Sequence, residues 1–265
     1  MKLGISTACF YIKEHVESTF EILRKLNVDS TEVFLNTFSE YEKPFVDALV
    51  ERADGIKIHS VHAHGTSFEP ELFADYDRVR NEAEVTFRKV CLAGNALGAK
   101  YYTFHGPFLK ANRPNNINWT TFSEKVNRLC TVAENYGISI AYENVNWAYG
   151  DNPEFFKKLF SMCPKLKATL DVKQALFADY EPLKFLDVME DRLVTVHLCD
   201  VDSKGKACMP GKGRYNFEKL LRELADRCPD INAFLEVYST AYDSYEELGK
   251  GYDSLNEIID KILKV

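Results

Sequence analysis

Eight short runs of apolar, β-branched and aromatic residues recur along this chain of 265 residues, and most are followed by a stretch with helical spacing. The runs cover residues 3–6, 32–35, 56–62, 101–105, 138–143, 168–171, 193–198 and 233–237. Between them Val16, Phe20, Leu23 and Leu26 recur at three- and four-residue intervals, as do Leu220, Leu221 and Leu224, and then Leu255, Ile258, Ile259 and Ile262. Strand–helix alternation implies parallel strands joined by helical crossovers. A repeat of about 30 residues is what a (β/α)8 barrel of roughly 250 residues requires. The expected fold class is therefore α/β, a single (β/α)8 barrel, with residues 1–265 as one domain. An open doubly wound sheet fits less well. No GxGxxG follows the first run, and polar residues end the runs all round the series rather than at one switch point.

In a parallel barrel the carboxyl ends of all strands open onto one mouth. Four of the runs end in groups that bind divalent cations: Glu143 in ISIAYEN, Asp171 in LKATLD, His197 in LVTVHLCD and Glu236 in NAFLEVYS. Carboxylate and imidazole donors suit Mn²⁺, Zn²⁺, Co²⁺ or Mg²⁺. Four such residues in four successive units point to one divalent metal ion. Five of the six histidines lie in or at the ends of runs; of these, His59 is expected deeper in its strand than His62, or facing the other way.

Charge and cysteine content narrow the function further. A net charge of −7 argues against nucleic acid or an anionic membrane as partner, since neutralising phosphates takes a basic surface. Seven cysteines with no CxxC suit reduced thiols and a cytoplasmic location. The apolar stretch at Met1–Ile12 is short and broken by Gly4, Ser6 and Thr7, so it reads as a first strand and not a leader.

The motifs HAHG, FHGPF, YENVNW, TLDVKQA, HLCDVD, PGKGRYNF and FLEV follow one another in the order of the xylose-isomerase-like TIM barrels, a family of sugar-phosphate isomerases, ketose 3-epimerases and inosose-processing enzymes, which the chain resembles over nearly its whole length. The resemblance implies that Glu143, Asp171, His197 and Glu236 hold one metal ion and that Glu143 and Glu236 form the catalytic acid/base pair. The chemistry agrees. Isomerising an aldose or epimerising a ketose removes a proton beside a carbonyl, which needs a base and a means of stabilising the enediolate. The expected activity is that of a metal-dependent isomerase or epimerase, with a small-molecule sugar or sugar phosphate as partner and room for homo-oligomers. Its rivals are an inosose-dehydratase-type lyase, an endonuclease-IV-like hydrolase and a non-catalytic sugar-binding barrel.

The endonucleases of the same superfamily use six similar ligands, matched here by His62, His105, Glu143, Asp171, His197 and Glu236, and three more. This chain has Gln174 where one of those three is a histidine, and MPGKGRYNF supplies neither of the others. His62 and His105 become candidates for binding substrate hydroxyls, with Trp147 as an apolar wall and Lys173, Gln174 and Lys204 as further substrate contacts. Phe10, Phe34, Phe108 and Tyr238 are additional wall candidates. The segment 202–214, with Lys204, Lys206, Lys212 and Arg214 among glycines, reads either as an anion-binding loop or as a solvated turn. The excursions at 70–97 and 106–118 are expected over the mouth, as a lid. Alternation should turn Cys199 away from the metal.

Overall fold

Each of the eight runs is a parallel strand, within two residues of its expected bounds, in a computed structural model that describes residues 1–64, 67–109 and 116–264. They are β1 (Lys2–Ile5), β2 (Ser30–Leu35), β3 (Lys57–Ala63), β4 (Tyr101–Phe104), β5 (Ser139–Glu143), β6 (Lys167–Asp171), β7 (Leu193–Leu198) and, after a hairpin of β8 (Asp200–Val201) and β9 (Ala207–Cys208), β10 (Asn232–Leu235). The helices are α1 (Val16–Lys25), α2 (Lys43–Arg52), α3 (Asp77–Ala96), α4 (Trp119–Glu134), α5 (Pro153–Met162), α6 (Val172–Phe177), α7 (Pro182–Met189), α8 (Phe217–Arg227) and α9 (Tyr245–Leu263). None of the described helices is long and apolar enough to cross a membrane.

The strands run in the order β1-β10-β7-β6-β5-β4-β3-β2, which makes a nearly closed (β/α)8 TIM barrel. Side chains alternate across its wall. Tyr102 and Phe104 turn outward to the Phe87 ring of α3, and Tyr142 to Phe156 of α5, whereas Thr103 turns inward to Glu32. The seam between β1 and β2 is closed by side chains: Thr31 Oγ1 donates to Ile5 O at 2.6 Å, and Phe34 N–H donates to Thr7 Oγ1 at 2.7 Å. Gly4 lets the two strands approach. A Cβ there would sit 2.3 Å from Ser30 O and 2.7 Å from the Phe234 ring, so no other residue fits without moving the backbone.

Two register shifts shape the interior. On β3 the pairing skips His59, so that Glu32 faces Ser60; on β7 it skips Val194. The two irregularities meet across the barrel floor, where His59 Nε2 lies 3.0 Å from Val194 O and 3.2 Å from Thr195 Oγ1. His59 thus lies deeper than His62, one of its two expected placements.

The excursion after β3 is a short 3-10 turn, Glu69–Phe73, followed by α3. Of the expected lid at 106–118, residues 110–115 lie outside the described residues; Phe108, before them, bridges to Ala148 beside the mouth.

Candidate active site

Glu143 and Asp171 end β5 and β6, His197 lies within β7, and Glu236 directly follows β10. All four are buried, and each offers a ligand atom within 4.8 Å of the others'. His197 Nδ1 faces the carboxylates, 2.9 Å from Glu143 Oε1, 3.5 Å from Glu236 Oε2 and 3.9 Å from Asp171 Oδ2. The donor set fits a divalent cation on two counts. Among the described residues, Asp171 Oδ2 and Glu236 Oε2 are buried without a hydrogen-bond partner, which costs free energy unless a cation or its ligands take them up. Three carboxylates also converge where Lys173 is the one ammonium among the described residues lining the cavity.

Local structure holds these groups in place. Asp171 Oδ1 caps α6 by accepting from Gln174 N–H at 2.8 Å, which leaves Oδ2 free to face the cluster, 3.3 Å from Lys173 Nζ. Asn144 latches β5 to β6: its Oδ1 accepts from Asp171 N–H and its Nδ2 donates to Asp171 O. Gln174 Oε1 accepts from Asn146 N–H, so one of its polar atoms is spent on the YENVNW loop.

His62 and His105 stand above the cluster with Nε2 atoms 2.9 Å apart, and His105 Nε2 lies 3.2 Å from Glu143 Oε2. Each is held from behind by a fully buried carboxylate. Glu32 Oε1 lies 3.2 Å from His62 Nδ1 and 3.0 Å from His197 Nε2, while its Oε2 accepts from Ser60 and Thr103 hydroxyls, each at 2.6 Å. Glu69 takes Tyr102 O–H on one oxygen and, on the other, His105 Nδ1 at 3.1 Å and the backbone N–H groups of His105 and Gly106.

Neither Glu32 nor Glu69 was among the expected site residues. A carboxylate inside the run STEVFL is the signal that would have found Glu32, because burying a charge demands partners. Glu69 lies in an excursion with no periodicity, and only the tertiary structure places it behind His105.

Charges in the cluster depend on one another. Burial pushes the Glu32 and Glu143 carboxyls up, but adjacent imidazoles outweigh it and hold both well below the usual range. Burial opposes protonation of His62, yet the carboxylates of Glu236 and Glu32 raise it to about 10; for His105, Glu69 and Glu143 raise it against burial to about 9. Asp171 is raised to about 6, chiefly by burial, with Lys173 pulling the other way. Lys173 is held above its ordinary value despite burial, first by Asp171.

A cavity of about 220 Å³ opens above these residues, lined also by Phe34, Trp147, Tyr238 and Tyr11. The Trp147 ring packs 5.2 Å from His105 and 5.3 Å from Phe108. A larger groove, about 840 Å³, runs between Met209–Glu218 and the start of α9, but it contains none of the converging interior groups.

Several expected contacts fall elsewhere. Phe10 is buried against Tyr245 and does not line the cavity. Lys204 sits exposed in the β8–β9 turn, away from the cavity lining, because its backbone N–H joins that of Lys206 on Asp202. The glycine-rich segment after it does face an anion, but an internal one. The buried Asp200 carboxylate accepts from the N–H groups of Val201, Gly211, Gly213, Arg214 and Tyr215, so those amides are spent within the fold. Cys199 is buried, its thiol directed to Asp200 O and Cys208 O.

The sequence matches the family model described as xylose isomerase-like TIM barrel over residues 20–258. An uncharacterised protein of Methanocaldococcus jannaschii is 24% identical over 132 residues, which cover 50% of this chain and 57% of that protein, little more than half its length. Among solved structures, the chain is similar to D-psicose 3-epimerase with D-tagatose from Clostridium cellulolyticum H10, at 17% identity over 99% of both chains with a TM-score of 0.79. It is also similar to the IOLI protein with a binding zinc atom, at 17% identity over 99% of both chains with a TM-score of 0.81. At these identities the likeness is one of fold.

Proposed function

Because the chain belongs to the xylose isomerase-like TIM barrel family, we propose that it is a divalent-metal-dependent isomerase or epimerase of a sugar or sugar phosphate, acting by proton transfer beside a carbonyl. The observation that carries this reading is the convergence of Glu143, Asp171, His197 and Glu236 beneath a cavity walled by Phe34, Trp147 and Tyr238. The likeness in fold to an epimerase and to a protein with a bound zinc atom supports it. A cation held by these four residues would stabilise negative charge developing on the oxygens of an enediolate.

The protein's own groups supply the rest. Glu143 and Glu236 reach the cluster from β5 and from the end of β10, with two barrel strands between them, β6 and β7, that carry Asp171 and His197. One takes the proton from the substrate carbon and the other returns it: delivered to the same carbon from the opposite face it inverts the centre, and delivered to the neighbouring carbon, with a proton passing between the two enediolate oxygens, it moves the carbonyl. His62 and His105, their Nδ1 atoms held by Glu32 and Glu69, present Nε2 to a substrate oxygen. The aromatic wall packs against a sugar C–H face. A cavity of 220 Å³ is below the roughly 300–1,000 Å³ typical of sites for drug-sized ligands, and it suits one monosaccharide.

Wash-in of solvent deuterium at the carbon beside the carbonyl, across a panel of ketohexoses and their phosphates, tests the reading. Glu143→Gln and Glu236→Gln should each lower exchange by ~10²–10⁴-fold while part of the metal affinity remains. Asp171→Asn should act mainly through metal affinity. Exchange unchanged in both glutamine variants would overturn the two-glutamate mechanism. Product lighter by one water would turn the assignment to a lyase, and cleavage of abasic-site DNA would turn it to a hydrolase.

A further inference from the structure

We propose that Glu32 is a positioning residue that fixes the ring orientation of His197 and His62 together and keeps N–H on the nitrogen of each ring that faces it, coupling the metal-holding imidazole to the substrate-facing one. The proposal rests on reading Glu143, Asp171, His197 and Glu236 as a cation site. Glu32 comes from the middle of β2 and is wholly buried below that site. Its Oε2 is already occupied by the Ser60 and Thr103 hydroxyls, and its Oε1 sits between His62 Nδ1 at 3.2 Å and His197 Nε2 at 3.0 Å. The His62 contact is a hydrogen bond. Among the described residues no aligned hydrogen-bond partner reaches His197 Nε2, which leaves the Glu32 carboxylate as the group that faces it.

An ionised carboxylate only accepts hydrogen bonds, so it favours N–H on both nitrogens that face it. That choice has opposite consequences for the two rings. At His197 it reserves Nδ1, the nitrogen turned toward Glu143, Glu236 and Asp171, as the lone-pair donor to a cation. At His62 it keeps N–H on Nδ1 and turns Nε2 away from the barrel floor, where it meets His105 Nε2 at 2.9 Å. The skipped His59 makes this possible: it sets Ser60 opposite Glu32, with His62 two residues on and facing the same interior. A carboxylate behind a metal-binding imidazole typically contributes 10–100-fold in affinity or activity.

The test uses Co²⁺ alone, titrated into full-length protein, with visible absorption and calorimetry as readouts. Glu32→Gln keeps the side-chain volume and a hydrogen-bonding oxygen but loses the charge and the acceptor-only character. We expect it to fold, to bind Co²⁺ about 10–100-fold more weakly and to shift the visible bands of the bound ion. Unchanged affinity and bands in folded Glu32→Gln would overturn the proposal. Nitrogen-15 NMR of the Zn²⁺-loaded wild type provides an independent check, whatever the variant's folding: Nε2 of His197 and Nδ1 of His62 should each carry a proton, whether or not His62 is also protonated on Nε2, and an unprotonated nitrogen at either position overturns the proposal. Wild-type protein that binds no ion would instead defeat the underlying reading of the cation site.

Discussion

His59 shows how much a single buried imidazole can set the response of this barrel to acid. Burial lowers its pKa from 6.5 to about 4, so the folded protein keeps it neutral while the unfolded chain protonates it near 6.5. Its contribution to stability is therefore complete above pH 6.5, declines as the pH falls toward 4 and is absent below. The shift corresponds to about 3 kcal/mol over that window. His59→Gln retains an N–H donor for Val194 O but cannot titrate. Urea unfolding at pH 7 and at pH 4 should show the variant losing less stability than wild type, by about that amount, and identical losses would refute the assignment. The position of His59 in a strand was legible from the sequence; its partner was not, because Val194 is 135 residues away and meets it only through a second register shift.

At the scale of elements, the β8–β9 hairpin and the glycine-rich segment behind it are organised by Asp200. The basic residues of this segment suggest an anion-binding loop, yet its amides close on a carboxylate from the same chain. Gly213 illustrates the tightness, since a Cβ there would lie 2.2 Å from Asp200 Oδ1. Asp200→Ala would leave five backbone N–H groups without their acceptor, at a cost of about 2–4 kcal/mol. Trypsin should then cut at Lys204, Lys206, Lys212 or Arg214 well before it cuts wild type, and Asp200→Asn, which keeps one carbonyl oxygen, should fall between. Equal resistance of wild type and Asp200→Ala would show that the carboxylate does not organise the segment. The same lesson holds on the other side of the mouth, where the 3-10 turn after β3 supplies Glu69 to His105.

At the scale of the whole molecule, the cation site joins strands from half the barrel, so occupancy should be felt as global stability. A ligand that binds only the folded state at 100 times its dissociation constant adds about 2.7 kcal/mol. For a chain of this size that is a rise in melting temperature of roughly 5–10 °C. Scanning calorimetry with Mn²⁺, Co²⁺ or Zn²⁺ against a chelated control should show it, and Asp171→Asn should lose most of it at the same metal concentration. A melting temperature indifferent to all three ions would count against the site.

Strand number, order and the gathering of Glu143, Asp171, His197 and Glu236 at one mouth follow from the sequence by itself. Alternation decides which residues share a face, and right-handed crossovers bring successive strand ends to the same side. Those are local rules, and they need no knowledge of distant neighbours. The tertiary structure alone decided that Glu32 would stand under two imidazoles, that Glu69 would stand behind a third, and that Asp200 would take the amides expected for a ligand. Each depends on strand register or on the path of a loop, and the resulting contacts reach from 11 positions along the chain, between Asp200 and Gly211, to 165, between Glu32 and His197. A buried charge must find partners, but which partners it finds is settled only when the barrel closes.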